Sequence, residues 1–241
     1  MSIISSQQTI GEMVVEKPNR SKFFEVLGFD YCCGGKKTLE EACIGKGLDP
    51  QFIMEQLSSF DQQQKDQTGL TDWSSVSLNE IIEHILTVHH VYTKQALERL
   101  DKLVTKVARV HGSNHHELLL VQEIYTRMQN ELLVHMEKEE KILFPYVQQL
   151  EVSERLPQFH CGSINNPIQV MLREHEDTGK QLEVIRELTH DYTAPADACN
   201  TYRAMLDGLA ELEADLHQHI HKENNLLFPK VLQRASELAT V

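Results

Sequence analysis

Beyond about residue 76 the chain repeats one pattern four times. Apolar residues recur every three or four positions over long stretches, as in Leu118, Val121, Ile124, Met128 and Leu132. That spacing puts one face of an α-helix against a core. Ser77-Leu78-Asn79-Glu80 is a capping box that starts the first stretch, which runs towards His111-Gly112. The second extends from about Asn114 past Pro145 to about Gln149, the third from near Pro167 to about Thr189, and the fourth from about Ala196 onwards. Long helices joined by short connections predict an all-α protein built on an antiparallel four-helix bundle over 76–238.

The first 60 residues read differently, as short helices around a tight turn. Thr38-Leu39-Glu40-Glu41 and Asp49-Pro50 are helix starts, and the glycines of Asp30-Tyr31-Cys32-Cys33-Gly34-Gly35 let the backbone turn and leave two thiols at a loop. From Ser58 to Thr71 the sequence is polar and glutamine-rich, which places a linker over 61–75 between a small helical domain, 1–60, and the bundle. A segment of about 60 residues is small for an independent core, so it is expected to lean on the bundle or on a second copy, making a homodimer plausible.

Charge and composition narrow the function. With 23 basic and 36 acidic side chains the net charge is −13, which argues against nucleic acid or an anionic membrane as partner. No apolar run approaches the roughly 20 residues of a membrane helix, and the N-terminus lacks the basic flank and apolar region of a signal peptide. Five cysteines are too few and odd in number for a disulfide scaffold, so a cytoplasmic, reducing setting is expected. Thirteen histidines stand out.

An internal repeat selects among them. HMEKEEKILFPYVQQL from His135 and HIHKENNLLFPKVLQR from His219 align without a gap, with eight identities in sixteen positions. His135 and Glu139, like His219 and Glu223, stand at i, i+4, one above the other on a helix, and can reach one metal cluster. His217 and His221 fall off that stripe and are expected in solvent or behind the ligands. Glu131 and Asp215, one turn earlier, are candidates to hold metal-bound imidazoles. Leu-Phe-Pro reads as core packing and a helix kink.

The odd helices repeat more weakly: His90 and His175 are matched by Thr93/Thr178, Leu97/Leu182 and Glu98/Glu183. The register favours His90 over its neighbour His89. Four histidines and two glutamates from four helices describe a dinuclear site with two bridging carboxylates, a donor set that suits iron, with manganese or zinc possible. About four protein ligands per metal leave positions open for a small exogenous ligand.

These motifs carry a resemblance. DYCCGG at 30–35, HMEKEEKILFP at 135–145, REHED at 173–177 and HIHKENNLLFP at 219–229 make the chain, over about residues 5–235, similar to the iron–sulfur cluster repair di-iron proteins, which join a short DYCCGG domain to a hemerythrin-like bundle. The resemblance implies two non-haem irons, oxo- and carboxylate-bridged, on His90, His135, Glu139, His175, His219 and Glu223. It places Glu131 and Glu174 along the route to them. It implies a cytoplasmic stress protein that acts on proteins whose clusters nitric oxide or peroxide has damaged, by donating iron without being an enzyme. Cys32 and Cys33 would pass iron or bind nitric oxide, while Cys43, Cys161 and Cys199 carry no motif. Alternatives are a di-iron nitric oxide reductase, with Glu131 and Glu174 relaying protons, and a sensor of small gases, nitric oxide or dioxygen.

Overall fold

The computed structural model describes residues 4–63, 73 and 75–240. Four short helices form the N-terminal domain: α1 (Ile10–Glu16), α2 (Arg20–Val26), α3 (Leu39–Gly45) and α4 (Pro50–Gln63). Capping boxes at Thr9/Glu12 and Thr38/Glu41 satisfy the first amides of α1 and α3. α4 runs through the start of the expected linker because Asp61, in its last turn, receives Arg20 Nη2 at 2.7 Å and Lys17 Nζ at 2.6 Å. Arg20 is fully buried; its Nε also donates to Asp61, and its Nη1 donates to Glu16 and the Met13 carbonyl. Past residue 63 the expected linker lies outside the described residues, apart from 73 and 75.

Four helical rods follow. The first is α5 (Leu78–His84), a π-helical turn (Ile85–His90) and α6 (Val91–His111). The second is α7 (Glu117–Lys138), a π turn (Glu139–Leu143) and α8 (Phe144–Val152). The third is α9 (Asn165–Leu188), unbroken; the fourth is α10 (Asn200–Lys222), a π turn (Glu223–Leu227) and α11 (Phe228–Ala239). Pro145 and Pro229 sit at the starts of α8 and α11. Having no N–H for the carbonyl four residues back, each is accommodated by the extra residue of the π turn before it. The expected kink is thus a local widening. No proline accompanies the first π turn, which carries His89 and His90 inward together, both buried.

The bundle holds two apolar cores. One, above the π turns, gathers residues such as Leu97, Leu100, Tyr125, Met128 and Leu209; the other, below, gathers Ile81, Ile85, Phe144, Ile168, Phe228 and Val231. The N-terminal domain shares its core with the bundle through Ile220 on α10. Its docking is tight: a Cβ on Gly11 would lie 2.6 Å from Asn225 Oδ1, and one on Gly35 3.0 Å from the same atom. Among the described residues no helix is long and apolar enough to cross a membrane.

Candidate metal centre

The layer between the two cores is polar and closed to solvent. His90, His135, His175, His219, Glu139 and Glu223 all lie there, each at most 4% exposed. Their donor atoms form two sets, His90, Glu139, His219, Glu223 and His135, Glu139, His175, Glu223, each within 4.8 Å.

The carboxylates link the sets. Glu139 turns Oε2 to His90 Nε2 and Oε1 to His135 Nε2, both at 3.4 Å. Glu223 turns Oε1 to His219 Nε2 and Oε2 to His175 Nε2, both at 3.0 Å. His135 and His175 face each other Nε2 to Nε2 at 3.0 Å. An octahedral edge between donors at bonds of about 2.1 Å measures about 3 Å, so these separations suit one cation per set. The satisfaction of polar atoms agrees. His90 Nε2, both oxygens of Glu139 and Glu223 Oε2 are buried without a hydrogen-bond partner, a condition native proteins rarely tolerate because each such atom costs about 1–3 kcal/mol. The residues therefore fit bound cations.

The outward nitrogens are held from neighbouring helices. His90 Nδ1 meets Glu140 Oε1, His135 Nδ1 meets Glu174 Oε2 and His175 Nδ1 meets Asn224 Oδ1, each at 2.8 Å. A proton held on Nδ1 leaves the Nε2 lone pair for a metal. Glu131 and Asp215, expected in this role, act elsewhere: Glu131 is exposed and accepts from Gln181 at 2.6 Å, and Asp215 holds His89 Nδ1 at 2.9 Å. Glu174 also contacts Lys138 and, chiefly through His135, is held below the ordinary carboxylate range.

Burial by itself would lower His135, but Glu139, Glu174 and Glu223 outweigh it and raise the imidazole to about 10. Burial and Glu223 push Glu139 up, yet His135 and His90 prevail and hold it down. A cation entering the cage would displace imidazole protons.

His221 is not in solvent. It is buried at the domain junction, its ring 5.4 Å from that of Tyr31, and burial pushes it down to about 4. Lys222, which the repeat equates with the half-exposed Lys138, is buried instead, with Nζ 3.2 Å from His89 Nε2 and 5.5 Å from the Trp73 ring centre. His89 in turn lies parallel to His219 at 5.4 Å. Nothing in the repeat distinguishes Lys222.

The thiols lie against the layer. Asp30 accepts the amides of Cys32, Cys33 and Gly34 at 3.0, 2.9 and 2.8 Å and shapes the turn. The two sulfurs are 3.8 Å apart, and Cys33 Sγ donates to the His175 carbonyl at 3.3 Å. Asn224 joins the two parts, giving Nδ2 to the Cys32 carbonyl at 3.3 Å while accepting from His175. Cys33 and burial push the buried Cys32 thiol well up.

The chain is similar to known proteins over most of its length. The hemerythrin HHE cation binding domain matches residues 81–231, and the ScdA_N domain, a domain of unknown function, matches residues 6–61. The iron–sulfur cluster repair protein YtfE of Enterobacter sp. (strain 638) is 41% identical over 225 residues, 93% of this chain and 96% of its own length. The proteins of the same name from Escherichia coli O157:H7 and Shigella boydii serotype 4 are each 39% identical with the same coverage.

Proposed function

Because this chain, with its cation-binding hemerythrin domain, belongs to the family of the iron–sulfur cluster repair proteins, we propose that it restores clusters damaged by nitrosative or oxidative stress by releasing iron from a dinuclear site. His90 and His219 would hold one iron, His135 and His175 the other, and Glu139 and Glu223 both. The observation that carries the reading is the pair of buried carboxylates, each with one oxygen turned to a histidine of either set. Bound iron supplies the cargo and open positions for small ligands such as nitric oxide or dioxygen.

The chain's own groups explain holding and release. Glu140, Glu174 and Asn224 fix three imidazoles with Nε2 inward, so the cage is set before metal enters. Four protein donors per ion are fewer than an octahedral site takes, which keeps the metal exchangeable. Cys32 and Cys33, beside His175, would receive outgoing iron; thiolates are soft ligands and compete well for it.

Anaerobic iron-loaded protein mixed with a damaged [4Fe–4S] enzyme is expected to restore its activity at near-stoichiometric amounts while losing iron. Reactivation with no iron leaving the donor refutes the proposal. Cys32→Ala with Cys33→Ala is expected to keep the iron and slow the transfer; unchanged transfer removes the thiols from the route.

A further inference from the structure

The repeat fixes the layer above the metal cage as well as the cage itself. α6 and α9 leave the ligand layer in the direction from which α7 and α10 approach it. Three residues beyond His90 and His175 stand Thr93 and Thr178; three before His135 and His219 stand Leu132 and Leu216. Residues three apart share a helix face, and all four are buried. The ceiling is therefore two leucines on one pair of helices and two threonines on the other. Below the cage, Phe144 lies 5.8 Å from His90 and Phe228 lies 6.1 Å from His175, ring centre to ring centre, both stacked. Floor and ceiling differ in one respect: only the ceiling carries hydroxyls.

Thr93 is the unusual member. Inside a helix a threonine commonly gives its hydroxyl proton to the carbonyl four residues back. Thr87 does so to Glu83 at 2.7 Å and Thr189 to Ile185 at 2.8 Å. Thr93, 0% exposed, does not, and its Oγ1 has no partner among the described residues. A buried hydroxyl without a partner destabilises the fold, and valine would fill the same volume without that cost. The ligand layer below holds further unpartnered atoms, His90 Nε2, both oxygens of Glu139 and Glu223 Oε2.

We propose that Thr93 Oγ1 is the hydrogen-bond donor for a small linear ligand, two or three atoms long with a terminal nitrogen or oxygen, that enters between the cage and the threonine–leucine ceiling. The assignment rests on the dinuclear reading above. Thr93 is a positioning residue for that ligand and holds no metal itself.

The test titrates oxidised iron-loaded wild type, Thr93→Val and Thr93→Ser with azide, followed by visible charge-transfer absorption, with iron content measured on the same samples. The valine variant is expected to hold as much iron as wild type and bind azide about tenfold more weakly, the loss of one hydrogen bond to a charged acceptor. Serine, which keeps the hydroxyl, restores binding. A second readout needs no metal: metal-free Thr93→Val melts at or above the wild-type temperature, because it loses an unpartnered group. Equal azide affinity in a fully loaded valine variant overturns this assignment only. A metal-free valine variant that melts well below wild type overturns it too, by showing that the hydroxyl already has a structural partner. Failure of the wild type to hold two irons removes the dinuclear reading and this assignment with it.

Discussion

Replacing Glu223 by leucine takes an oxygen donor from both ligand sets at once, whereas replacing His175 by alanine takes a donor from one. Each set has four protein donors and the two share Glu139 and Glu223. Glu223→Leu therefore leaves three donors in each set, and His175→Ala leaves the set of His90, Glu139, His219 and Glu223 complete. The expected iron content is two per chain in wild type, one in His175→Ala and well below one in Glu223→Leu. Stability follows the same order. Each iron at about a hundred times its dissociation constant stabilises the fold by about 2.7 kcal/mol, so two irons on a chain of 241 residues raise Tm by roughly 10–20 °C. That increment should vanish in Glu223→Leu and persist in part in His175→Ala. Iron analysis, Mössbauer spectra and melting with and without iron measure all three quantities. Two irons and an unchanged dinuclear spectrum in Glu223→Leu would refute the sharing of that carboxylate, as would equal losses in the two variants.

Other consequences are as direct. Asn224→Ala leaves His175 Nδ1 unheld and cuts the link to the Cys32 carbonyl, so metal affinity should drop about 10- to 100-fold in a chelator competition. Gly35→Ala puts a Cβ 2.5 Å from the Tyr31 carbonyl and should cost about 1–3 kcal/mol in urea unfolding, while Gly45→Ala, with nothing within 4 Å, should be near neutral. For Asp61, burial acts to raise its pKa, but Arg20 and Lys17 outweigh it and hold it below the ordinary 3.8. A depressed acid contributes stability that is present above its unfolded value and lost as pH falls through the folded one. Wild type should thus lose stability steeply below about pH 4, and Asp61→Asn should flatten that limb while costing about 3 kcal/mol at pH 7. An unchanged acid limb in circular dichroism would remove the pair from that role.

The four rods were legible because a buried helix face must repeat at 3.6 residues, and Leu118 to Leu132 keep that period. The histidines of the cage are legible because duplication wrote them twice in one register. The groups that hold them were not. Glu131 and Asp215 lie one turn away on the same helix, but an imidazole lying across the bundle presents Nδ1 to a neighbouring helix, where Glu140, Glu174 and Asn224 meet it. Intrahelical spacing carries no information about that neighbour. The π turns are hidden for a related reason: one extra residue turns the stripe by about 100°, no more than the width of the apolar face itself. Nor could spacing show that His221 is covered by Tyr31 of another domain.

The separation of the bundle into two apolar cores by a polar layer bears on how metal leaves. Cooperative units in proteins tend to open along planes of weak apolar contact, and here that plane is the cage. Without metal, the α5–α8–α11 end and the long upper rods meet across two buried carboxylates held only by imidazoles. Metal held there would tie the carboxylates that begin two π turns to histidines at the ends of the upper rods. Amide exchange at the π turns should therefore be the part of the molecule most slowed by iron, and opening of the lower end with the upper core intact would release metal without global unfolding.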